Sequence, residues 1–446
     1  MTNPFKVFMN IRRDELPLSL LMFSYFFLVI TSFWILKPLK KTLFIGFYKD
    51  NGFDLLSWHL NASQTELIAK VLNMAVAILA VAVFTWLARR FRRQQLTYLF
   101  SGFFMVSYIL YSFRITNPGD LTVWSFYLFG DLFSTLMVAT FFAFLNDSVT
   151  PDKAKRLYGL VGLGGVMGGA FGSLIVKIWI KQISMGTWLW ITFAVGAVII
   201  LLAKTAGALV DKDLKKPNLN RGRDEPAEPA DGKQKSNPAL EGARLVFKSR
   251  YLLAIVGIVG FYEIVSTIMD FQFTSTVEHF VPKEMIGAHF STIYTITNFM
   301  SMFVQLFLTS FVMSRFGLTA ALMVLPVAIV MGSAGFVVVP VLWVGSFLNT
   351  ADNGFSYSIN QSAKETLYVP TSREEKYKAK AFIDMFVQRF AKALAVGISL
   401  AITTYFSDFS SIRWLSVVTL AIMVVWIIAI RYAGRKFDEM AGGSPG

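Results

Sequence analysis

The chain is 446 residues long, 55% hydrophobic, 15% aromatic and only 16% charged. A soluble protein carries about 25% charged and 45–50% apolar residues, so the soluble classes are excluded and a polytopic membrane protein is indicated. Its net charge is +14, but membrane proteins gather Lys and Arg in cytoplasmic loops, so this surplus needs no nucleic-acid partner. The chain has no Cys, which excludes disulfides and thiolate metal sites, and His59, His279 and His289 have no metal-ligand spacing.

A membrane-spanning helix needs about 20 mostly apolar residues. Twelve such segments are read in chain order: 17–36, 67–88, 96–113, 121–146, 158–181, 188–210, 251–276, 289–314, 318–339, 340–361, 381–406 and 413–434. In a bilayer no water satisfies the backbone, so each must be helical. The first is too long for a signal-peptide core and runs into Lys37-Pro38 rather than a small-residue cleavage site, so it is kept as a mature helix.

Residues 211–250 hold ten Lys/Arg and seven Asp/Glu, with Pro217, Pro226, Pro229 and Pro238. This segment reads as a solvated, partly disordered cytoplasmic linker between an N-terminal half, 1–210, and a C-terminal half, 251–446. Basic clusters at Arg89–Arg93, Lys153–Arg156 and Arg373–Lys380 fall on the same side as both termini, which places that side in the cytoplasm.

The halves echo each other. Span 2 leaves through Arg89-Arg90-Phe91-Arg92-Arg93 and span 8 through Arg315-Phe316-Gly317. Spans 4 and 10 leave through charged loops opening with Pro151 and Pro370. The expected fold is an all-α polytopic membrane protein with 12 transmembrane helices in two parallel six-helix halves. That is the major facilitator architecture, whose binding site lies near the midplane between the halves.

An ionisable side chain in hydrocarbon is costly and marks a pathway, a pair or a cavity. Span 1 brings Lys37, Lys40 and Lys41, and span 4 brings Asp131. Span 10 brings Asn349, Asp352 and Asn353. These seven are the expected substrate-binding residues. Glu263 and Asp270 share a face of span 7 with Ser266. Asp384, Gln388 and Lys392 follow Lys380 at steps of four on span 11. These five are the expected coupling or gating residues. Plainer readings stand beside these: the span-1 lysines could snorkel to the outer interface, Asp384 could pair with Lys380 on the helix surface, and the carboxylates could serve interhelical pairing.

Span 5 is glycine-rich from Gly159 to Gly172. Without a preceding strand this is no phosphate loop; small residues four apart suit a close helix contact, whether a rocking interface or ordinary packing. Asn61-Ala62-Ser63 fits a glycosylation triplet common by chance.

Tyr357–Pro370, continuing at Lys378–Asp384, is similar to the KYSLFDPTKEMAYIPLD…KVKGKAAID block of the ATP/ADP translocase family of obligate intracellular bacteria and plastids. Asn146–Gly164 resembles that family's DEAKRFYPLFGLG, and Ile35–Leu43 its ILRDTKDTL. The resemblance implies a nucleotide transporter in a bacterial inner (plasma) membrane, multi-pass with both termini cytoplasmic. Carried over residue by residue, the family's nucleotide-binding lysine of span 1 falls on Lys40 and its span-4 Glu near Asp131. The chain departs where Ser266 replaces the family's span-7 Glu, Asp270 its Lys, Lys37-Pro38 its Arg-Asp, Lys41 a second Asp, and Ser356 the lysine before Tyr357. These departures fall on the presumed substrate helices, not on the scaffold.

The expected function is transport of nucleotides (ATP/ADP-like) or a related organic phosphate anion by alternating access, as an exchanger or coupled to protons. The expected partners are that small-molecule anion and the lipid bilayer, with no cofactor, metal, nucleic acid or enzymatic activity. The alternatives are a major facilitator for another solute (metabolite, lipid or drug) and a non-transporting membrane scaffold.

Overall fold

The computed structural model describes residues 12, 15–149, 151–215, 238–372, 375–406 and 408–442. Each of the twelve expected segments lies on helix to within two residues at either end. In the N-terminal half these are α1 (Leu16–Tyr48), α2 (Ala62–Arg90), α3 (Arg93–Arg114), α4 (Asp120–Ser148), α5 (Pro151–Trp179) and α6 (Met185–Lys215). Between α1 and α2 stands a small antiparallel hairpin, β1 (Phe53–Leu55) and β2 (Trp58–Leu60), with Phe53 opposite Leu60.

Two of the helix limits that differ from the sequence expectation matter for the site. Helix α1 continues through Pro38 to Tyr48, so Lys37, Lys40 and Lys41 sit inside it and not at its end. Helix α2 begins five residues earlier than its apolar run. Asn61 accepts from the Gln64 amide while the Gln64 side chain accepts from the Asn61 amide, a reciprocal cap that satisfies two otherwise orphaned N–H groups. Asn61 is thereby a helix cap, and Glu66, which precedes the apolar run, is brought into α2 one turn before Lys70.

After α6, the expected linker is only partly described. Residues 216–237, with Pro217, Pro226 and Pro229, lie outside the described residues. Its remainder is not unstructured: α7 (Pro238–Lys248) is a short helix. It packs on a π-helical turn at Glu375–Ala379 and on the start of α8 (Arg250–Phe280). Val246 is fully buried there and Leu245 partly so, and Glu241 pairs with Lys378 at 2.8 Å.

Helix α9 (Ile286–Phe303) passes through a π turn, Val304–Leu308, into α10 (Thr309–Val338). Gly317 breaks α10 at φ +83°, a left-handed conformation that favours glycine; it is the whole connection between the eighth and ninth spans. Then come α11 (Leu342–Phe355), a π turn at Ser356–Asn360, α12 (Gln361–Leu367), α13 (Lys380–Phe382), a π turn at Ile383–Val387, α14 (Gln388–Tyr405) and α15 (Arg413–Gly442). Ten helices among the described residues are long and apolar enough to cross a membrane, one of them a 56-residue element holding both sides of Gly317. The polar stretch α11–α12 is not among the ten, because Asn349, Asp352, Asn353 and Lys364 lower its hydropathy.

Each half has its own apolar core. One gathers Met22, Phe104, Phe126, Phe141 and Trp188; the other Ile258, Met269, Leu322, Ile359 and Trp426. A third cluster joins them: Trp34, Phe44 and Tyr48 pack with Phe273, Phe290 and Tyr294. Helices α1 and α5 pack on α9, and α2 on α8 and α14.

The glycines of α5 serve mainly a contact inside one half. A Cβ at Gly164, Gly168 or Gly172 would strike the backbone of Phe23, Phe27 or Thr31 on α1, and only Gly169 also faces the other half, at Asn298. Backbone-to-backbone approach of α5 on α1, rather than a sliding surface between halves, is therefore what this stripe provides.

Candidate functional site

Between the halves lies a cavity of about 580 Å³, lined from α1, α2, α4, α8, α11, α12, α14 and the π turns beside them. Its deepest part holds Lys37, Lys40 and Lys41. Its far end holds Gln361, Lys364 and Asp384, near the side where α1 starts and α15 ends. The side chains of α1 reach it because Lys37, Lys40 and Lys41 sit at spacings of three and four on one helix face.

Lys40 is buried and forms an ion pair with Asp131 of α4; Asn73 of α2 donates to the other oxygen of Asp131 at 2.6 Å. Lys41, 5% exposed, crosses between the halves. It lies 2.9 Å from Asp270 and 3.4 Å from Glu66 and donates to Thr274 at 2.8 Å. Lys70 donates to the second oxygen of Asp270 at 2.5 Å, and Asn349 approaches Asp270 at 3.3 Å. Glu66, 1% exposed, also accepts from Tyr127 at 2.8 Å. The span-1 lysines therefore do not snorkel: two are buried in ion pairs, because α1 runs on past them.

On the other wall, Lys392 faces Glu263 at 3.4 Å and Gln388 donates to Asp384 at 3.3 Å. Lys380 pairs with Glu365 at 2.5 Å, not with Asp384. Ser266 donates to Asp352 at 2.6 Å, while the other oxygen of Asp352 is buried without a partner among the described residues.

Among the described residues, three cations of the lining have no carboxylate partner. Lys37 lies over Trp34 at 4.4 Å and Tyr294 at 4.9 Å from the ring centres, with Tyr357 at 6.0 Å. Lys364 lies over Tyr262 at 4.7 Å. Arg389 donates to the Met74 carbonyl at 2.9 Å. Aromatic faces attract a cation weakly compared with a charged ligand, so these heads are held in place and still available. Tyr357, 57% exposed, turns into the cavity from the π turn at Ser356–Asn360.

Of the twelve residues singled out in the sequence, eleven line this cavity; Asn349 sits behind Asp270. Sequence reasoning did not single out Glu66, Lys70, Asn73, Tyr127, Tyr262, Tyr357, Lys364 or Arg389 as site residues.

On the side of the β hairpin the cavity is shut. Glu278 of α8 accepts from the backbone N–H groups of Ala62 and Ser63 at 2.8 and 2.9 Å. Lys49 donates to the carbonyls of Glu278 and Val281. Lys283 pairs with Asp50 at 2.6 Å, Ser275 donates to Ser63 at 3.0 Å and Gln64 to Thr403 at 3.0 Å. A carboxylate at a helix N-terminus and an ammonium at a helix C-terminus are both favourable placements.

A family model described as the Major Facilitator Superfamily matches residues 18–376. The chain belongs to this superfamily. This major facilitator is a multi-pass membrane protein, and a second model, the TLC ATP/ADP transporter, matches its residues 336–437. The block at 357–384 that carries the family resemblance falls inside that match. The ADP,ATP carrier protein 2 of Chlamydia pneumoniae is 22% identical, covering 97% of this chain and 91% of its own length. The plastidic ATP/ADP-transporter of Solanum tuberosum is 23% identical over 97% of this chain and 75% of its own. The ADP,ATP carrier protein 1 of Rickettsia bellii is 20% identical, with 98% and 97% covered. Among solved structures, a bacterial homologue of the human lysosomal transporter Spinster, inward-facing and unoccupied, superposes with a TM-score of 0.58 at 14% identity, covering 94% of this chain and 98% of its own. The nucleoside transporter NupG gives 0.56 at 14% identity, with 95% and 99% covered. Both likenesses show the major facilitator fold.

Proposed function

We propose that this major facilitator carries nucleotides, or a related organic phosphate anion, across the membrane by alternating access. The observation that carries the reading is the set of three cations, Lys37, Lys364 and Arg389, that face the cavity without carboxylate partners. Phosphate oxygens are the strong acceptors for such groups. Tyr262 and Tyr357 supply aromatic faces on which a base stacks. The cavity volume fits the 300–1,000 Å³ usual for small-molecule sites. The relatives named ADP,ATP carriers and the TLC match support the same class of cargo.

Within this reading Lys37, Lys40, Lys41, Asp131, Asn349, Asp352 and Asn353 form the substrate wall. Glu263, Asp270, Asp384, Gln388 and Lys392 serve coupling or gating, whether the cycle is exchange or proton-coupled transport. The protein works in a bacterial inner membrane with both termini cytoplasmic. Residues 1–210 and 251–446 are the moving halves and 211–250 the cytoplasmic connection. Closure on the hairpin side with a cavity reaching the terminal side then corresponds to a cytoplasm-facing state.

The test is uptake of labelled nucleotide into proteoliposomes preloaded with nucleotide or sugar phosphate. Lys37→Ala, Lys364→Ala and Arg389→Ala should each reduce it about tenfold or more, since hydrogen bonds to charged groups contribute about 1.5–3 kcal/mol. Wild-type vesicles that neither take up nor exchange any phosphorylated compound overturn the reading.

A further inference from the structure

The cavity is rich in charge and yet close to neutral. Lys40 is matched by Asp131; Lys41 and Lys70 share Asp270 and Glu66; Lys392 faces Glu263. Four cations and four carboxylates cancel in these contacts. What remains is Lys37, Lys364 and Arg389 against Asp352 and Asp384. The lining thus carries seven cations and six carboxylates, one net positive charge when all are ionised.

Charge taken out of water must be matched closely, because both like-charge repulsion and unpaired charge grow costly as the dielectric falls. A phosphate monoester carries about 1.5–2 negative charges at pH 7, and each further phosphate of a chain adds roughly one more. The monoester comes within about one charge of this lining, whereas a free triphosphate exceeds it by about two or more. We propose that the preferred cargo is a phosphate monoester with one or two negative charges, of the class of a nucleoside monophosphate, and not a free di- or triphosphate. The inference rests on the organic-phosphate reading and narrows it: the free cations come from both halves, Lys37 on α1 and Lys364 and Arg389 on α12 and α14.

The experiment uses wild-type protein in proteoliposomes, with AMP, ADP, ATP and glucose 6-phosphate as competitors against uptake and as ligands in a thermal-shift series. In EDTA, AMP or glucose 6-phosphate should bind at least about tenfold more tightly than ATP, the sign expected when charge match decides. Magnesium, which lowers the charge of ATP, should narrow that gap while leaving the monoesters unchanged. ATP or ADP binding in EDTA as tightly as either monoester overturns the inference, and so does a gap that magnesium leaves untouched, since size alone would then explain it. Silence from all four compounds overturns the organic-phosphate reading itself and the inference with it.

Discussion

The ammonium of Lys41 on α1 lies 2.9 Å from the carboxylate of Asp270 on α8, joining the two halves at the roof of the cavity. Lys70 holds the other oxygen of the same carboxylate. Asp270→Asn removes the anion that both lysines share, leaving a buried and a partly buried cation with Glu66 alone. Loss of one partner from a buried pair costs about 3–5 kcal/mol at full burial, less here because the Asp270 side chain is 26% exposed. Closure on the hairpin side should loosen. A cysteine introduced at Ser63 should then react several-fold faster with an impermeant maleimide applied from that side, whereas an unchanged rate would show that Asp270 does not hold the halves together. The native chain has no Cys, so the label reads one position.

Ser63 and Ser275 meet across the same seam, oxygen to oxygen at 3.0 Å. That separation suits the Cβ spacing of about 3.5–4.5 Å that a disulfide needs. Ser63→Cys with Ser275→Cys should cross-link under oxidation, abolish exchange and recover it on reduction. Full transport by the cross-linked protein would mean that this side never opens.

The glycine contact between α5 and α1 gives a paired test. Gly168→Ala places a Cβ against the Phe27 carbonyl, whereas a Cβ at Gly162 meets nothing within 4 Å. The first should lower stability by about 1–3 kcal/mol, the usual range for overpacking. The second should be neutral or raise it by about 0.5–1 kcal/mol through helix propensity. Melting of the two variants in the same detergent compares them directly; equal melting temperatures would remove close packing as the reason for the stripe.

Tyr357 tests stacking apart from hydrogen bonding. Tyr357→Phe keeps the ring and should retain nucleotide affinity. Tyr357→Ala should weaken it by about 1–3 kcal/mol, the value of base stacking on an aromatic side chain. A sugar phosphate has no base and should be indifferent to both; parallel losses for the two ligands would assign Tyr357 to packing.

Hydropathy made the helices legible, because a bilayer leaves the backbone so few choices. The convergence of polar groups from the first, fourth, seventh and tenth spans was legible too. Other members of the site were hidden by local geometry. Glu66 lay ahead of the apolar run of α2, and the only signal for it was the Asn61…Gln64 cap that starts the helix early. On the eleventh span, steps of four put Lys380, Asp384, Gln388 and Lys392 on one stripe. The π turns at Glu375–Ala379 and Ile383–Val387 widen the helix and shift that register. Lys380 swings away to Glu365, and Arg389 enters the cavity in its place. A hydrogen bond from i to i+5 leaves no mark in hydropathy. The hairpin and α7 were missed for a different reason: their apolar faces are short and gain meaning only against the helices they touch.

Glu278 grips α2 through main-chain N–H groups at Ala62 and Ser63, and every amino acid except proline offers that same handhold. The clasp's main-chain part therefore depends on one acid, and it is insensitive to the side chain at position 62. The hairpin-side face of this carrier can thus vary at position 62 around a fastening that a change at Glu278, or a proline opposite it, would undo.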